Sequence, residues 1–334
     1  MLGAFASLAA IPATMAQEEA PSNVTPTGPR LDFPAGVVTD GSLIYVANSR
    51  NNTIDKIDLT SHGIALLAGQ LFKTGSNDGS GASALFASPS GMTLAGGNIY
   101  LADTNNSIVR RVTPGGQVTT VAGSPNLPGT DDGKGSVAHF NLPTQIASDP
   151  SGSRLFVTDS GSSTIRMISL PDMIVKTIAG QADSEGKTDG PASKSQFSRP
   201  RGISTDGKFL YISDTGNNCI RKIDLSSMTT TTLAGSGEEG SKDGAGTEAQ
   251  FNNPGAMATD GTSVYLLDAD NHAIRKIDAN SGEVKTITQV NGHIGSGCTL
   301  SKDGHLLYFS DTTENAVQQA DLSNGNVTPV YPTQ

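Results

Sequence analysis

The chain has 334 residues, of which 39 are glycine and only 5% are aromatic, and its formal charge is -10. Many short strands joined by tight turns suit that composition better than long helices. The acidic balance argues against nucleic acid as a partner, because binding to a phosphate backbone draws on concentrated positive surface.

The first residues, MLGAFASLAAIPATMAQEEA, combine an apolar run of signal-peptide length with Thr14-Met15-Ala16, which offers small residues where a signal peptidase needs them. Residues 1–16 are therefore read as a signal peptide and 17–30 as a linker, and the product is expected to be secreted or periplasmic, although no Lys or Arg precedes the apolar run. No later stretch approaches the roughly 18 to 20 continuous apolar residues of a membrane-spanning helix, so no membrane insertion is expected.

From residue 31 to residue 332 the chain repeats. An apolar-aromatic run ending in Asp or Asn occurs six times, as LIYVAN (to Asn48), NIYLAD (Asp103), RLFVTD (Asp159), FLYISD (Asp214), SVYLLD (Asp268) and LLYFSD (Asp311), at intervals of 55, 56, 55, 54 and 43. A short run such as GISTDG precedes each, a third such as CIRKID follows, and a fourth such as VKTIAG completes most copies. Four short strands per repeat, separated by Gly, Asn and Asp turns, predict a propeller blade. One blade cannot bury both of its faces, so six predict a closed ring. The expected fold is all-β, a six-bladed β-propeller of four-stranded antiparallel blades over residues 31–332, one domain and a monomer.

Blocks such as FSRPRGISTDGKFLYISDTGNNCIRKID and FNNPGAMATDGTSVYLLDADNHAIRKID, repeated in order, resemble the NHL-repeat family of β-propellers. The resemblance implies the fold and a range of activities, since NHL propellers occur as protein-binding, ligand-sensing, RNA-binding and, in a few cases, lyase domains. Fold alone does not choose among these.

A second pattern is laid over the repeat. The skeleton Asp-Gly, with Phe eight residues after the Asp, occurs as DGSGASALF (Asp78 to Phe86), DGKGSVAHF (Asp132 to Phe140), DGPASKSQF (Asp189 to Phe197) and DGAGTEAQF (Asp243 to Phe251). Each copy precedes a blade whose third strand carries arginine seven residues after the run-ending Asp, at Arg110, Arg166, Arg221 and Arg275. Blades one and six lack the loop and have Asp55 and Gln318 instead. Loop and arginine come and go together, which predicts structural ion pairs Asp78–Arg110, Asp132–Arg166, Asp189–Arg221 and Asp243–Arg275. The Gly would let the loop turn where other residues are strained. The Phe, or Leu31 and Ile294 in the loopless blades, would plug the gap between blades, and the Pro three residues later fixes entry to the first strand. The Asp ladder and terminal Glu of a calcium loop are absent.

No catalytic constellation stands out. The first strands offer no set of His, Asp or Glu, the five histidines fall at different blade positions, and Cys219 and Cys298 match no zinc or redox spacing. No metal and no cofactor are expected. The Asp residues that close the second strands are read as turn caps. What the repeats leave unexplained is an irregular set around the entry prolines: Asp32, Asn141, Gln145, Arg199, Arg201, Asn252 and Asn253. Arg199 and Arg201 flank Pro200 and, with Asn141, Asn252 and Asn253, are the expected ligand-binding residues, suited to a carboxylate or sulfated group. The leading reading is an exported, non-catalytic propeller binding a protein, peptide or glycan on the face carrying the Asp-Gly loops. The alternative is a lyase or lactone hydrolase at the mouth of the central channel.

Overall fold

The computed structural model describes residues 30–330, so the expected signal peptide, and all of the expected linker but Arg30, lie outside the described residues. Blade one consists of β1 (Pro34–Thr39), β2 (Leu43–Asn48), β3 (Thr53–Asp58) and β4 (Ile64–Gly69), paired antiparallel in that order. Five further sheets repeat it, and their second strands end at Asp103, Asp159, Asp214, Asp268 and Asp311. These second strands are buried from their second residue to their last because the middle of a blade is covered on both faces by its neighbours. The ThrAspGly turns after the first strands are Asx turns: Asp40 accepts from the Ser42 and Leu43 amides, and Asp260 from those of Thr262 and Ser263.

The Asp-Gly loops leave the end of the molecule where the first strands begin, then run down the outer flank of the next blade. There Gly79–Ser80, Gly133–Lys134 and Gly190–Pro191 each pair with that blade's fourth strand as a short fifth strand, and Gly244 forms a single bridge to Val284. They are straps on the rim rather than loops standing on the face. Each strap ends in its Phe, which is fully buried, and Leu31 takes the same station in blade one; Ile294 does not take it in blade six, because it pairs with Asp311 as Pro34 does with Asn48 and so stands at the entry-proline position.

Among the described residues no strand is exchanged at ring closure. Blade six is built wholly from the C-terminal part of the chain, and Tyr308, Val317 and Val330 pack onto Leu31, Val37, Ile44, Val46 and Ile57 of blade one. Among the described residues no helix is long and apolar enough to cross a membrane.

Candidate functional site

The four repeated arginines are fully buried, and each joins two carboxylates. Arg110 donates from Nη2 to Asp78 Oδ1 of its strap at 3.0 Å and from Nη1 to Asp103 Oδ2 at 2.8 Å. Arg166 does so with Asp132 and Asp159, Arg221 with Asp189 and Asp214, and Arg275 with Asp243 and Asp268. The guanidinium of Arg110 also donates to the strap carbonyls of Leu85 and Asn77 and lies 5.1 Å above the Phe86 ring. Asp78 in turn accepts from the Thr120 amide and hydroxyl, so one carboxylate ties the strap to the third and fourth strands together.

The strand-closing aspartates do not cap their own turns in these four blades. Asp103 Oδ1 accepts the Ala87 amide of the incoming segment, while Oδ2 accepts Asn106 and Arg110. Asp159, Asp214 and Asp268 likewise accept the amides of Asn141, Ser198 and Asn252. The amide of the incoming segment occupies one oxygen and the guanidinium the other; in blade one, without the arginine, Asn48 Oδ1 accepts the Asp32 amide in the same way. In blade six, with neither arginine nor strap, Asp311 does cap its turn at Thr313 and Glu314. Burial pushes the Asp103 and Asp159 carboxyls up to about 6, and the neighbouring guanidiniums hold them from rising further, so both are ionised at neutral pH. Asp132 on its strap loses some solvent, but the Thr177 amide and Arg166 outweigh this and hold its carboxyl below the usual range.

Blade one inverts the chemistry. Asn48 stands where the siblings have Asp, and Asp55 where they have Arg; Asn48 Nδ2 donates to Asp55 Oδ2 at 2.7 Å and to the Arg30 carbonyl. Asp55 is fully buried, its Oδ1 has no partner among the described residues, and burial pushes its carboxyl up to about 6.

The irregular residues divide into two groups. Phe33, Ser88, Leu142, Arg199 and Asn253 each precede an entry proline, and all five hold left-handed backbone with φ between 45° and 54°. Extended backbone is the norm before proline, and here the amides of Phe33, Ser88, Arg199 and Asn253 are held by Asn315, Asn52, Ser163 and Asn218 of the preceding blade. The backbone station is thus common to the repeats while its side chain is free to vary. Arg199 and Arg201 are exposed, and among the described residues neither forms an ion pair. Arg201 Nη1 lies 3.4 Å from Asn253 Oδ1, and Asn253 Nδ2 donates to Asp270. Asn141 and Asn252 are not hydrogen-bonded to either arginine among the described residues; their backbone amides serve Asp159 and Asp268.

Gln145 belongs to the channel. Its Nε2 donates at 3.0 Å to the Ser296 carbonyl, crossing from blade three to blade six on the opposite side of the ring. Equivalent positions in blades one, two and four are Gly36, Gly91 and Gly202, where an added Cβ would fall about 2 Å from Ser90 O, Gln145 Oε1 and Gly255 O respectively. The first strands therefore meet closely around a bridging glutamine. Among the described residues no group of three or more His, Cys, Asp or Glu is placed to hold a metal ion.

No family model matches the sequence. NHL repeat-containing protein 2 of Bos taurus is 30% identical over 290 residues, covering 76% of this chain and 40% of that protein. The chain belongs with the NHL-repeat propellers. This NHL propeller thus spans well under half the length of the curated relatives it matches. Among solved structures it is similar to a chain of the nidogen/laminin complex, with a TM-score of 0.61, 17% identity, and coverage of 87% of this chain and 93% of that one. It is also similar to virginiamycin B lyase from Staphylococcus aureus, with a TM-score of 0.57, 17% identity, and coverage of 92% and 87%. At such identities the likeness concerns the fold alone.

Two features of this NHL propeller escape the sequence reading: the second carboxylate on each arginine and the bridging role of Gln145. The first had a signal, since Asp recurs seven residues before each of the four arginines. The second had none beyond a Gln where siblings have Gly or Ala.

Proposed function

We propose that this NHL propeller is an exported, non-catalytic binding module that engages a protein, peptide or glycan across the end of the ring where its blades begin. One observation carries the reading: five blades hold the same left-handed station with different side chains, Arg199 and Asn253 among them, around a channel bridged by Gln145. The repeated polar groups nearby are already engaged in strap and strand bonds, which leaves the varying side chains for recognition. An enzyme working inside the channel would need room for substrate where Gln145 and the glycine contacts lie. Export rests on the amino-terminal residues alone.

The test is binding of the purified propeller to a glycan array and to displayed peptides and folded domains, alongside assays for lactone hydrolysis and lyase activity. Arg199→Ala with Arg201→Ala is expected to weaken the best binder tenfold or more, about 1.4 kcal/mol, with unfolding unchanged. Turnover of a lactone, or binding indifferent to both arginines, would overturn the reading.

A further inference from the structure

Resting on that binding reading, we propose that the ligand is the surface of a folded protein, one that presents an apolar patch beside carboxylates. Among the described residues, the blade-entry end carries exposed large apolar side chains on one side only. Phe33 is 39% exposed and Leu142 46%, at the stations before the entry prolines of blades one and three. Phe72, 74% exposed, and Leu127, 54% exposed, stand on the shoulders of the straps that lead into blades two and three. The matching stations further round the ring are polar: Asp183 corresponds to Phe72, since each is left-handed and donates its amide to the turn of the preceding blade, and Arg199 corresponds to Leu142. The result is an apolar arc over blades one to three that faces the unpaired guanidiniums of Arg199 and Arg201 on blade four. A soluble protein leaves such apolar surface open where something else covers it.

Shape and charge select the occupant. Two cavities, of 460 and 330 Å³, lie elsewhere: one along the fourth strand of blade four beside the turn after the third strand of blade five, the other among the turns after the first strands of blades one and six, at the opposite end of the ring. A small ligand needs a concave, enclosing site. The blade-entry end instead offers bulky side chains on fixed backbone, and burial of aromatic and arginine anchors on a rigid surface is how protein partners gain affinity. An anionic membrane is disfavoured by the net charge of -10. Two unpaired arginines beside apolar residues match carboxylates flanking an apolar patch.

The experiment is selection of a display library of folded miniproteins, randomised over one surface, against the whole purified chain. Selected binders are expected to keep apolar residues next to Asp or Glu. They should lose tenfold or more in affinity on Phe72→Ser, on Leu142→Ser, and on the double change Arg199→Ala with Arg201→Ala. Should a variant fold poorly, phenylglyoxal labelling of the unmodified chain reports the same contact, with Arg199 and Arg201 protected in the complex. Binders indifferent to all of these changes, with both arginines still labelled, would overturn the proposal. If glycans or linear peptides bound through Arg199 and Arg201 while no folded domain did, this inference would fall and the binding reading would stand.

Discussion

Arg221 lies between two carboxylates of unequal exposure, and the inequality sets what each substitution costs. Asp214 is fully buried, whereas the side chain of Asp189 keeps 44% of its accessible surface. Arg221→Ala leaves Asp214 buried without a cation, and is expected to cost about 3 to 5 kcal/mol. Asp189→Ala leaves the arginine its inner partner and exposes the strap, so about 1 kcal/mol is expected. Urea titration of both variants and of the double mutant measures the coupling; a coupling of zero would separate the strap from the arginine. Asp55 supplies the complementary case, a buried carboxylate with no cation. Its folded-state pKa of about 6 lies above that of the unfolded chain, so the folded state binds the proton more tightly. The associated stability is present in full below about pH 4 and is lost as pH rises through about 6. Asp55→Asn is expected to remove that loss, gaining about 1 to 3 kcal/mol at pH 8 and little at pH 4. Equal effects at the two pH values would show that Asp55 does not titrate in this range.

At the level of elements, the sequence made legible whatever repeats. Six apolar-aromatic runs located six second strands to their last residue, because a doubly covered strand is built around apolar residues and must end at a turn. The co-occurrence of strap and arginine pointed to pairs that the structure brings within 2.6 to 3.0 Å. The path of the straps was not legible, since nothing in DGSGASALF states that Gly79 pairs with Val118 on the blade's rim. Nor was Gln145 legible, because its partner Ser296 is distant in the chain and is met only when the ring closes. Glycine gives the test at this scale. The Ala-Gly that ends fourth strands looks like turn punctuation, yet Gly180 holds φ +88° and an added Cβ would lie 2.7 Å from the Ser163 carbonyl oxygen. Gly180→Ala therefore combines left-handed strain with a backbone clash, and is expected to cost upwards of about 2 kcal/mol. Gly135, also left-handed with φ +57° but with nothing near its absent Cβ, should tolerate alanine with about 1 kcal/mol lost. Chemical denaturation of the pair separates strain from crowding; similar losses would mean that crowding contributes nothing.

For the molecule as a whole, the question is whether the seam between blades six and one is weaker than the others, since among the described residues no strand crosses it. Its bonds are of the same kind as those within the ring. Ser310 Oγ donates to Ala35 O, as Ser213 Oγ does to Gly255 O, and Asn315 Oδ1 accepts the Phe33 amide, as Asn52 Oδ1 accepts that of Ser88. Glycine crowding recurs as well, with an added Cβ on Gly297 falling 2.2 Å from Ala35 O. Packing is equally complete: Val317 in the closing cluster and Val109 in the cluster between blades two and three are both fully buried. If closure is as strong as propagation, Val317→Ala and Val109→Ala should each cost about 2 kcal/mol and shift one common transition. The chain has no tryptophan and six tyrosines, so Tyr308→Trp gives one distinct fluorophore at the seam itself. Coincidence of that signal with far-ultraviolet circular dichroism is the expected result, because a ring whose blades each depend on two neighbours loses them together. An earlier transition of the tryptophan at position 308, deepened by Val317→Ala but not by Val109→Ala, would show instead that blade six opens before the rest.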